Sequence, residues 1–403
     1  MRKFKIAAMA AVLMLTVFLA SGCTTYNNFK DTFFGGKGET SDTIKIGVLE
    51  PQTGNDSSNG ELELQGIELA HQLVPQVLDK PIELVYADTQ SSIYVAETAA
   101  EDLAARNPAV ILGSYGEAVT LTASQIFARE GIPSIAITAT NPLITANNDY
   151  YFRVAFSDAS QGRALADYAF EGLGQAQAGI VRMKDDDTTN EMVNQFSSRL
   201  RRLSGDEECI TLTVEIPENT KDYSDYAREI AESDVQTVFL PVSISNGEKL
   251  LDAVGAAGIQ GITFLVPKDW HNDDLIRLQN KYPGIKIAVA SDFVSGASDA
   301  AGISEQPQSQ IYQQFLAAYE KEYGGGEPPE EVALAFDAYM IAVEAIERAG
   351  SVERTAVGEA LLATNGFEGA SGEISFNESG EPTKTINIDV VQDGKFVSVF
   401  TVK

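Results

Sequence analysis

Short apolar runs alternate with longer amphipathic segments along the chain from Ile44 onward. In the longer segments the apolar residues recur every three or four positions, which predicts helices, and the short runs predict strands. Strands that alternate with helices of ten or more residues predict a parallel sheet with helices on both faces. The first series predicts strands at 44–49, 81–87, 109–112 and 132–137 and helices at 60–78, 94–106 and from Glu117.

A second series of the same kind follows the segment 150–154. It predicts strands at 178–183, 210–216, 237–240 and 262–266 and helices near 190–203, 222–233 and 247–257. Two series of similar size predict two lobes, and the cleft between two lobes is the natural place for a ligand. From Ile285 the pattern predicts a return to the first lobe, with helices at 311–323 and 332–349.

Two turns of the first series lie at the carboxyl ends of predicted strands. Gly113-Ser114-Tyr115-Gly116 follows one buried strand, and Thr138-Ala139-Thr140-Asn141-Pro142 follows the next. Ligands bind at this edge of open parallel sheets, where free backbone amides at helix starts suit an anion. These turns are therefore the candidate floor of a binding cleft.

Composition is that of an ordinary globular protein, with 44% hydrophobic and 22% charged residues in 403. The net charge of −29 argues against nucleic acid or an anionic membrane surface as a partner, because both require basic patches. An acidic surface serves solubility in the simplest interpretation, and attraction of cationic solutes is the alternative.

The N-terminus combines three basic residues, an apolar run at 6–19 and the sequence Leu19-Ala20-Ser21-Gly22-Cys23. This ending resembles a bacterial lipobox and predicts a signal peptide at 1–22, a lipid anchor on Cys23 and a flexible tether at 23–43. A plain secretory signal cut near Ala20 is the alternative. Because Cys209 is the only other cysteine, no disulfide framework is expected.

No set of residues typical of catalysis stands out. The two histidines, His71 and His271, are far apart in sequence, and no His/Cys set has the spacing of a metal site. The run Asp185-Asp186-Asp187 is best interpreted as a solvated loop. We therefore expect neither an enzyme nor a cofactor.

The two turns and their surroundings resemble the leucine/isoleucine/valine-binding family of type I periplasmic binding proteins. The resemblance covers nearly all of 44–403; it includes Gly113, Glu130-Gly131-Ile132-Pro133, Thr138-Ala139-Thr140-Asn141-Pro142, Tyr150-Tyr151-Phe152-Arg153-Val154 and the helix and strand motifs after 311. It implies an α/β fold of two Rossmann-like lobes, with parallel sheets flanked by helices and a multi-strand hinge. The first lobe would span about 44–156 and 268–383, and the second about 157–267 and 384–403.

The resemblance also implies a function. The protein would be a monomeric, lipid-anchored, extracytoplasmic receptor that binds a small polar solute, such as an amino acid or amide, and delivers it to the membrane subunits of an ABC permease. A sensor or regulatory envelope lipoprotein with the same fold is the alternative. The implied ligand-binding residues are Ser114, Tyr115, Glu117, Ala118, Thr138, Ala139 and Thr140 in the first lobe, and Thr189, Asn246 and Trp270 in the second.

Glu117 departs from the family, which usually has a serine there. A carboxylate aimed into the cleft would occupy the amides that hold a ligand carboxylate, so the ligand would be neutral or cationic at that end. The alternative is a first-turn acid that the helix dipole stabilises. Likewise, Thr138 and Thr140 could be ordinary strand-end and capping residues.

The second lobe departs as well. Thr189 stands where the family often has a tyrosine, and Asn246 where leucine-type receptors carry an acid for the ligand ammonium, with Glu248 nearby. An ammonium in a desolvated cleft needs an anionic partner, so this change weakens a branched-chain amino acid as the ligand. Trp270 could either cover a ligand or pack against the hinge.

Overall fold

The structure is a computed structural model that describes residues 43–293 and 309–402. The predicted signal peptide, the lipidation site Cys23 and nearly all of the predicted tether lie outside these residues. In chain order the strands are β1 Ile44–Glu50, β2 Gln76–Val77, β3 Lys80–Asp88, β4 Val110–Gly113, β5 Ser134–Ala136, β6 Tyr151–Arg153, β7 Ala178–Met183, β8 Ile210–Ile216, β9 Thr237–Phe239, β10 Thr263–Val266, β11 Lys286–Ser291, β12 Phe367–Gly369, β13 Gly372–Phe376, β14 Pro382–Thr383, β15 Ile386–Gln392 and β16 Lys395–Val402.

The α-helices are α1 Ser57–Leu73, α2 Ile93–Ala105, α3 Glu117–Arg129, α4 Asp158–Asp167, α5 Asn190–Ser204, α6 Ser224–Glu232, α7 Ile244–Ala256, α8 Asp273–Lys281, α9 Gln310–Tyr323, α10 Glu330–Ala349 and α11 Arg354–Leu362. Among the described residues, none of these helices has the length and apolar character needed to cross a membrane.

The first sheet has six strands in the order β2-β3-β1-β4-β5-β6, and all of its pairings except β2–β3 are parallel. The strand β4 is buried along its whole length, as its unbroken apolar run predicts for a strand covered on both faces. Helix α1 ends at Leu73, earlier than the predicted 78, because the chain then forms the short antiparallel strand β2. The predicted α/β fold is confirmed.

The second sheet has seven strands in the order β16-β15-β11-β10-β9-β7-β8, and its β15 and β16 are antiparallel additions. One part of the predicted lobe division is wrong. The predicted return to the first lobe before β11 does not occur, because β11 pairs in parallel with β10 in the second sheet. An apolar strand has the same pattern in either sheet, so the local sequence could not assign it.

Helix α10 closes the first lobe by packing along α1. Most of its residues are buried, and its backbone lies against Gly66 of α1, where any Cβ would clash with the carbonyl of Val332. Glycine therefore permits the close approach of the two helices. Their contact brings the start of α10, with Glu330 and Glu331, next to the junction of the two sheets.

A buried ion network ties the junction together. The Lys268 Nζ lies 2.9 Å from Asp292 Oδ2 and 2.8 Å from Glu330 Oε1, and the Lys384 Nζ lies 2.8 Å from Asp292 Oδ1. The backbone N–H of Phe156 also donates to Asp292, at 3.2 Å. The described chain crosses between the two sheets after β6, after β11 and before β15. The Asp292 carboxylate, which follows β11, thus binds residues on the other two crossings.

Candidate functional site

Glu117 joins the two turns at the carboxyl edge of the first sheet. It is the first residue of α3, directly after the turn that follows β4. Its Oε1 accepts hydrogen bonds from the Thr140 backbone N–H at 2.7 Å and hydroxyl at 3.2 Å, and its Oε2 accepts one from the Asn141 N–H at 3.0 Å. The carboxylate therefore points to the turn 138–141, and its place on those amides supports the first of the two interpretations of Glu117.

The turn 138–141 is held from behind by Arg153, which is fully buried. Its Nη1 donates to the carbonyls of Ala139 at 3.1 Å and Asn141 at 2.8 Å, and its Nη2 pairs with Glu381. Because the guanidinium takes the carbonyls, the N–H groups of the turn point away from it, toward Glu117. The turn therefore forms an anion-binding site, and the anion that occupies it is the carboxylate of Glu117.

Two further acids lie beneath the turns. Glu63 of α1 is fully buried and accepts a hydrogen bond from the Thr138 hydroxyl, and Glu50 at the end of β1 is fully buried and accepts one from the Tyr115 N–H at 2.9 Å. Gly113 lets Glu50 approach, since a Cβ at this residue, whose φ is +106°, would clash with the carboxyl.

The carboxyls of Glu50 and Glu63 interact with each other. Burial first, and then the charge of Glu63, raise the pKa of Glu50 well above its usual range, and burial raises the pKa of Glu63 to about 7. Desolvation and a neighbouring carboxyl disfavour the charged form of a buried acid in this way. Sequence reasoning missed both residues. The sequence did contain a signal for each: Glu50 ends an apolar strand, and Glu63 lies at helical spacing before Ile67 and Ala70.

Acids of both lobes surround the same turns. Burial, followed by the charge of Glu117, raises the pKa of Asp158 at the start of α4 to about 7. Burial, followed by the charges of Asp269, Glu63 and Glu331, raises the pKa of the Tyr115 phenol. Asp269 is exposed to solvent, yet desolvation by the surrounding protein raises its pKa against the opposing charge of Lys268. The set Glu63, Glu117, Asp158, Asp269 and Glu331 is called the cleft acids below.

A sequence model described as "Periplasmic binding protein" matches residues 43–395. The chain belongs to the periplasmic binding protein family.

Individual relatives agree with the predicted type I, leucine/isoleucine/valine-binding resemblance, which is confirmed. The Leu/Ile/Val-binding protein homolog 1 of Brucella abortus is 23% identical over 353 residues, which cover 87% of this chain and 90% of the relative. A leucine-binding protein of Thermotoga maritima has a TM-score of 0.75 at 25% identity, covering 89% of this chain and 98% of that one. The isoleucine-bound protein LivJ of Streptococcus pneumoniae has a TM-score of 0.71 at 21% identity, covering 88% and 97% respectively, and shows the fold.

Periplasmic binding proteins are extracytoplasmic solute-binding proteins, not a family of enzymes. In this periplasmic binding protein the first-lobe residues predicted from the sequence gather around Glu117. Thr138 and Thr140 bind Glu63 and Glu117, as described, and Ala139 is buried beneath them. Ser114 is fully buried and its hydroxyl donates to the Tyr115 carbonyl at 3.1 Å, whereas Ala118 is exposed on α3.

The second-lobe residues are placed differently. Trp270 is fully buried in the second lobe, where its indole N–H donates to the Val242 carbonyl at 2.8 Å and its ring fills the space beside Gly247. This geometry supports packing within the lobe over covering a ligand. Sequence alone could not show this because an exposed and a buried tryptophan have the same local pattern.

Thr189 and Asn246 make no hydrogen bond to the first lobe within the described ranges. Thr189 lies at the start of α5, and Asn246 accepts a hydrogen bond from the Lys249 ammonium at 2.9 Å. Glu248, the possible substitute for Asn246, forms a bidentate salt bridge with Arg277 on the surface, at 2.8 and 3.0 Å. The second-lobe groups that act electrostatically on the turns are instead Asp158 and Asp269.

Proposed function

We propose that this protein is the solute-binding component of an ABC importer, which closes its two lobes on a small polar solute and delivers it to the permease. The observation that carries the proposal is the convergence at the turns 113–117 and 138–141. Both turns stand at the carboxyl edge of the first sheet, and residues of the second lobe act on the same groups. In open parallel sheets this edge is the ligand side.

Hinge closure supplies the mechanism. Three crossings joined by one buried ion network allow the lobes to move as bodies while the crossings stay bound together. Solute that bridges the lobes would stabilise the closed form, and the closed form would be the one that docks on the membrane subunits.

The proposal includes a lipid anchor on Cys23 and action as a monomer. A mature chain held by acyl chains on the membrane would meet the permease without diffusing away. Replacement of Cys23 by alanine should move the protein from the membrane fraction of its host to the soluble extracytoplasmic fraction. Continued membrane association of C23A would contradict the anchor.

The competing function is a sensor or regulatory envelope lipoprotein. One observation favours it: the amides that would hold an amino-acid carboxylate already bind Glu117. A protein that contacts other proteins has no need of a free anion site, and its cleft could be closed to solutes.

A ligand screen separates the two functions. The protein from residue 24 onward would be heated with amino acids, amides, amines and small organic acids, and its unfolding temperature measured. A solute at one hundred times its Kd adds about 2.7 kcal/mol to the free energy of unfolding, a rise of several degrees or less in a chain of this size. We expect one chemical class to raise the temperature. No rise with any class would contradict the transport function and favour the sensor.

A further inference from the structure

The anion-binding donors of the turn 138–141 are already occupied. The Thr140 N–H, the Thr140 hydroxyl and the Asn141 N–H all donate to Glu117, at 2.7 to 3.2 Å. An entering carboxylate would have to displace Glu117 and leave it in the cleft without donors. Desolvated charges without partners are costly, so the arrangement disfavours any solute that presents a carboxylate here.

The groups around Glu117 are acceptors and anions. The Asp158 backbone N–H donates to the Thr140 carbonyl at 3.1 Å, which places Asp158 beside the same turn, and the charges of Glu117 and Asp269 both act on its carboxyl. Beneath them Glu63 is fully buried; its Oε2 has no hydrogen-bond partner among the described residues, and the carboxyl of Glu50 acts on the same side chain. A site built this way offers several acceptors and several negative charges to whatever enters.

Two basic side chains, Arg153 and Lys268, act electrostatically on these acids, but both are bound elsewhere. Arg153 donates to the carbonyls of the turn and pairs with Glu381. Lys268 pairs with Asp292 and Glu330. Over the described parts of the chain, no ion pair joins a lysine or arginine to any of the five cleft acids, which therefore lack a direct positive partner of the chain's own.

Resting on the proposed function, we propose that the solute is a small organic amine without a carboxylate, such as a diamine or polyamine, whose ammonium binds Glu117 and Asp158. An ammonium brings three donors to a place that supplies carboxylate and hydroxyl acceptors. A metal ion is a poorer match, because no three His, Cys, Asp or Glu in 43–293 and 309–402 are placed to hold one. A quaternary ammonium would need an aromatic cage, and the turns offer one ring, Tyr115.

Matched pairs of compounds test the inference on the unmodified protein. Cadaverine is lysine without its carboxylate, and isoamylamine bears the same relation to leucine. Titration calorimetry of the protein from residue 24 onward, at pH 8 and low salt, should detect binding of a diamine or of spermidine. Each amine should bind at least about tenfold more tightly than its carboxylated counterpart, because the carboxylate of the amino acid would be desolvated in the cleft without a hydrogen-bond donor.

Variants of Glu117 locate the effect. E117Q should weaken amine binding about tenfold to hundredfold, the amount expected for a charge-assisted hydrogen bond. E117S should also lose the amine, and it should admit a carboxylate because the Thr140 and Asn141 amides become free. E130Q alters an exposed acid at the other end of α3 and should bind like the wild type. The wild-type comparison stands by itself if either Glu117 variant fails to fold.

The outcomes separate the inference from the function on which it rests. Tighter binding of an amine by the wild type, with loss in E117Q and none in E130Q, supports both. Tighter binding of leucine, lysine or another carboxylate by the wild type overturns the amine and leaves the solute-binding function standing. Binding of no compound from any class overturns both.

Discussion

Buried charges occur in two regions of this molecule, the hinge and the cleft, and they are compensated in opposite ways. At the hinge, Asp292 meets two lysine ammonium groups within 2.9 Å. Burial pushes the pKa of Asp292 up, but the charges of Lys384 and Lys268 outweigh burial and lower it. In the cleft, Glu63 meets another carboxyl and a threonine, and burial raises its pKa to about 7.

The difference separates a structural network from a binding one. A buried charge that has its counter-charge needs nothing from outside, and removing one partner should strongly destabilise the protein. A buried charge that lacks a counter-charge strains the empty protein and gains from a ligand that supplies one. Asp292 and Glu63 are both fully buried, so the partner, not the burial, distinguishes them.

The largest expected effect is at the hinge. K384M should lower the free energy of unfolding by about 3–5 kcal/mol, because Asp292 stays buried with one of its two ammonium partners missing. Urea denaturation at pH 7 measures the change. K395M, at an exposed lysine close by in sequence, should stay within about 0.5 kcal/mol of the wild type. Equal stabilities for the two variants would remove the structural role assigned to the hinge.

A smaller effect on stability is expected from Glu63 in the cleft, where removing the charge should stabilise the ligand-free protein. The pKa of Glu63 is raised from 4.5 to about 7, so the folded protein holds this proton more tightly than the unfolded chain. The contribution of Glu63 to the stability of the ligand-free protein should therefore be greatest below pH 4.5. It should fall as pH rises to 7, by up to roughly 3 kcal/mol. Glu50 and Asp158, whose pKa values are also raised, act in the same direction.

Denaturation curves between pH 5 and 8 measure this dependence. E63Q should reduce the slope and make the ligand-free protein more stable at pH 8 than the wild type. E61Q, at an exposed position of the same helix, should keep the wild-type slope. A slope that is unchanged in E63Q would show that Glu63 does not titrate with a raised pKa, and the contrast between cleft and hinge would be lost.

The local sequence pattern was sufficient to predict elements that have one buried face and one exposed face. The alternation in 210–216 predicted β8 to the residue, because alternate side chains of β8 are buried and exposed. It was insufficient for β11, whose buried run fits either sheet. It was also insufficient for Trp270, since the space beside Gly247 that receives the ring is formed by α7, more than twenty residues away.

The candidate site divides in the same way. The turns 113–117 and 138–142 could be located from the chain, since glycines, threonines and strand ends mark them locally. The direction of the Glu117 side chain could not, because it depends on hydrogen bonds to residues 23 and 24 positions later. The roles of Glu50 and Glu63 were missed for a related reason: each becomes a buried acid only when β1 and α1 meet.

By itself the sequence determined the α/β class, the two series of strands and helices, the family and the position of the two turns at the carboxyl edge of the first sheet. Periodicity and turn residues carry this information because they act over a few neighbouring positions. Only the tertiary structure decided which buried charges have partners. These partners are far apart in sequence, whether they form an ion pair, as Asp292 and Lys384 do at the hinge, or a hydrogen bond, as Glu117 and Thr140 do in the cleft, and only folding brings them within bonding distance.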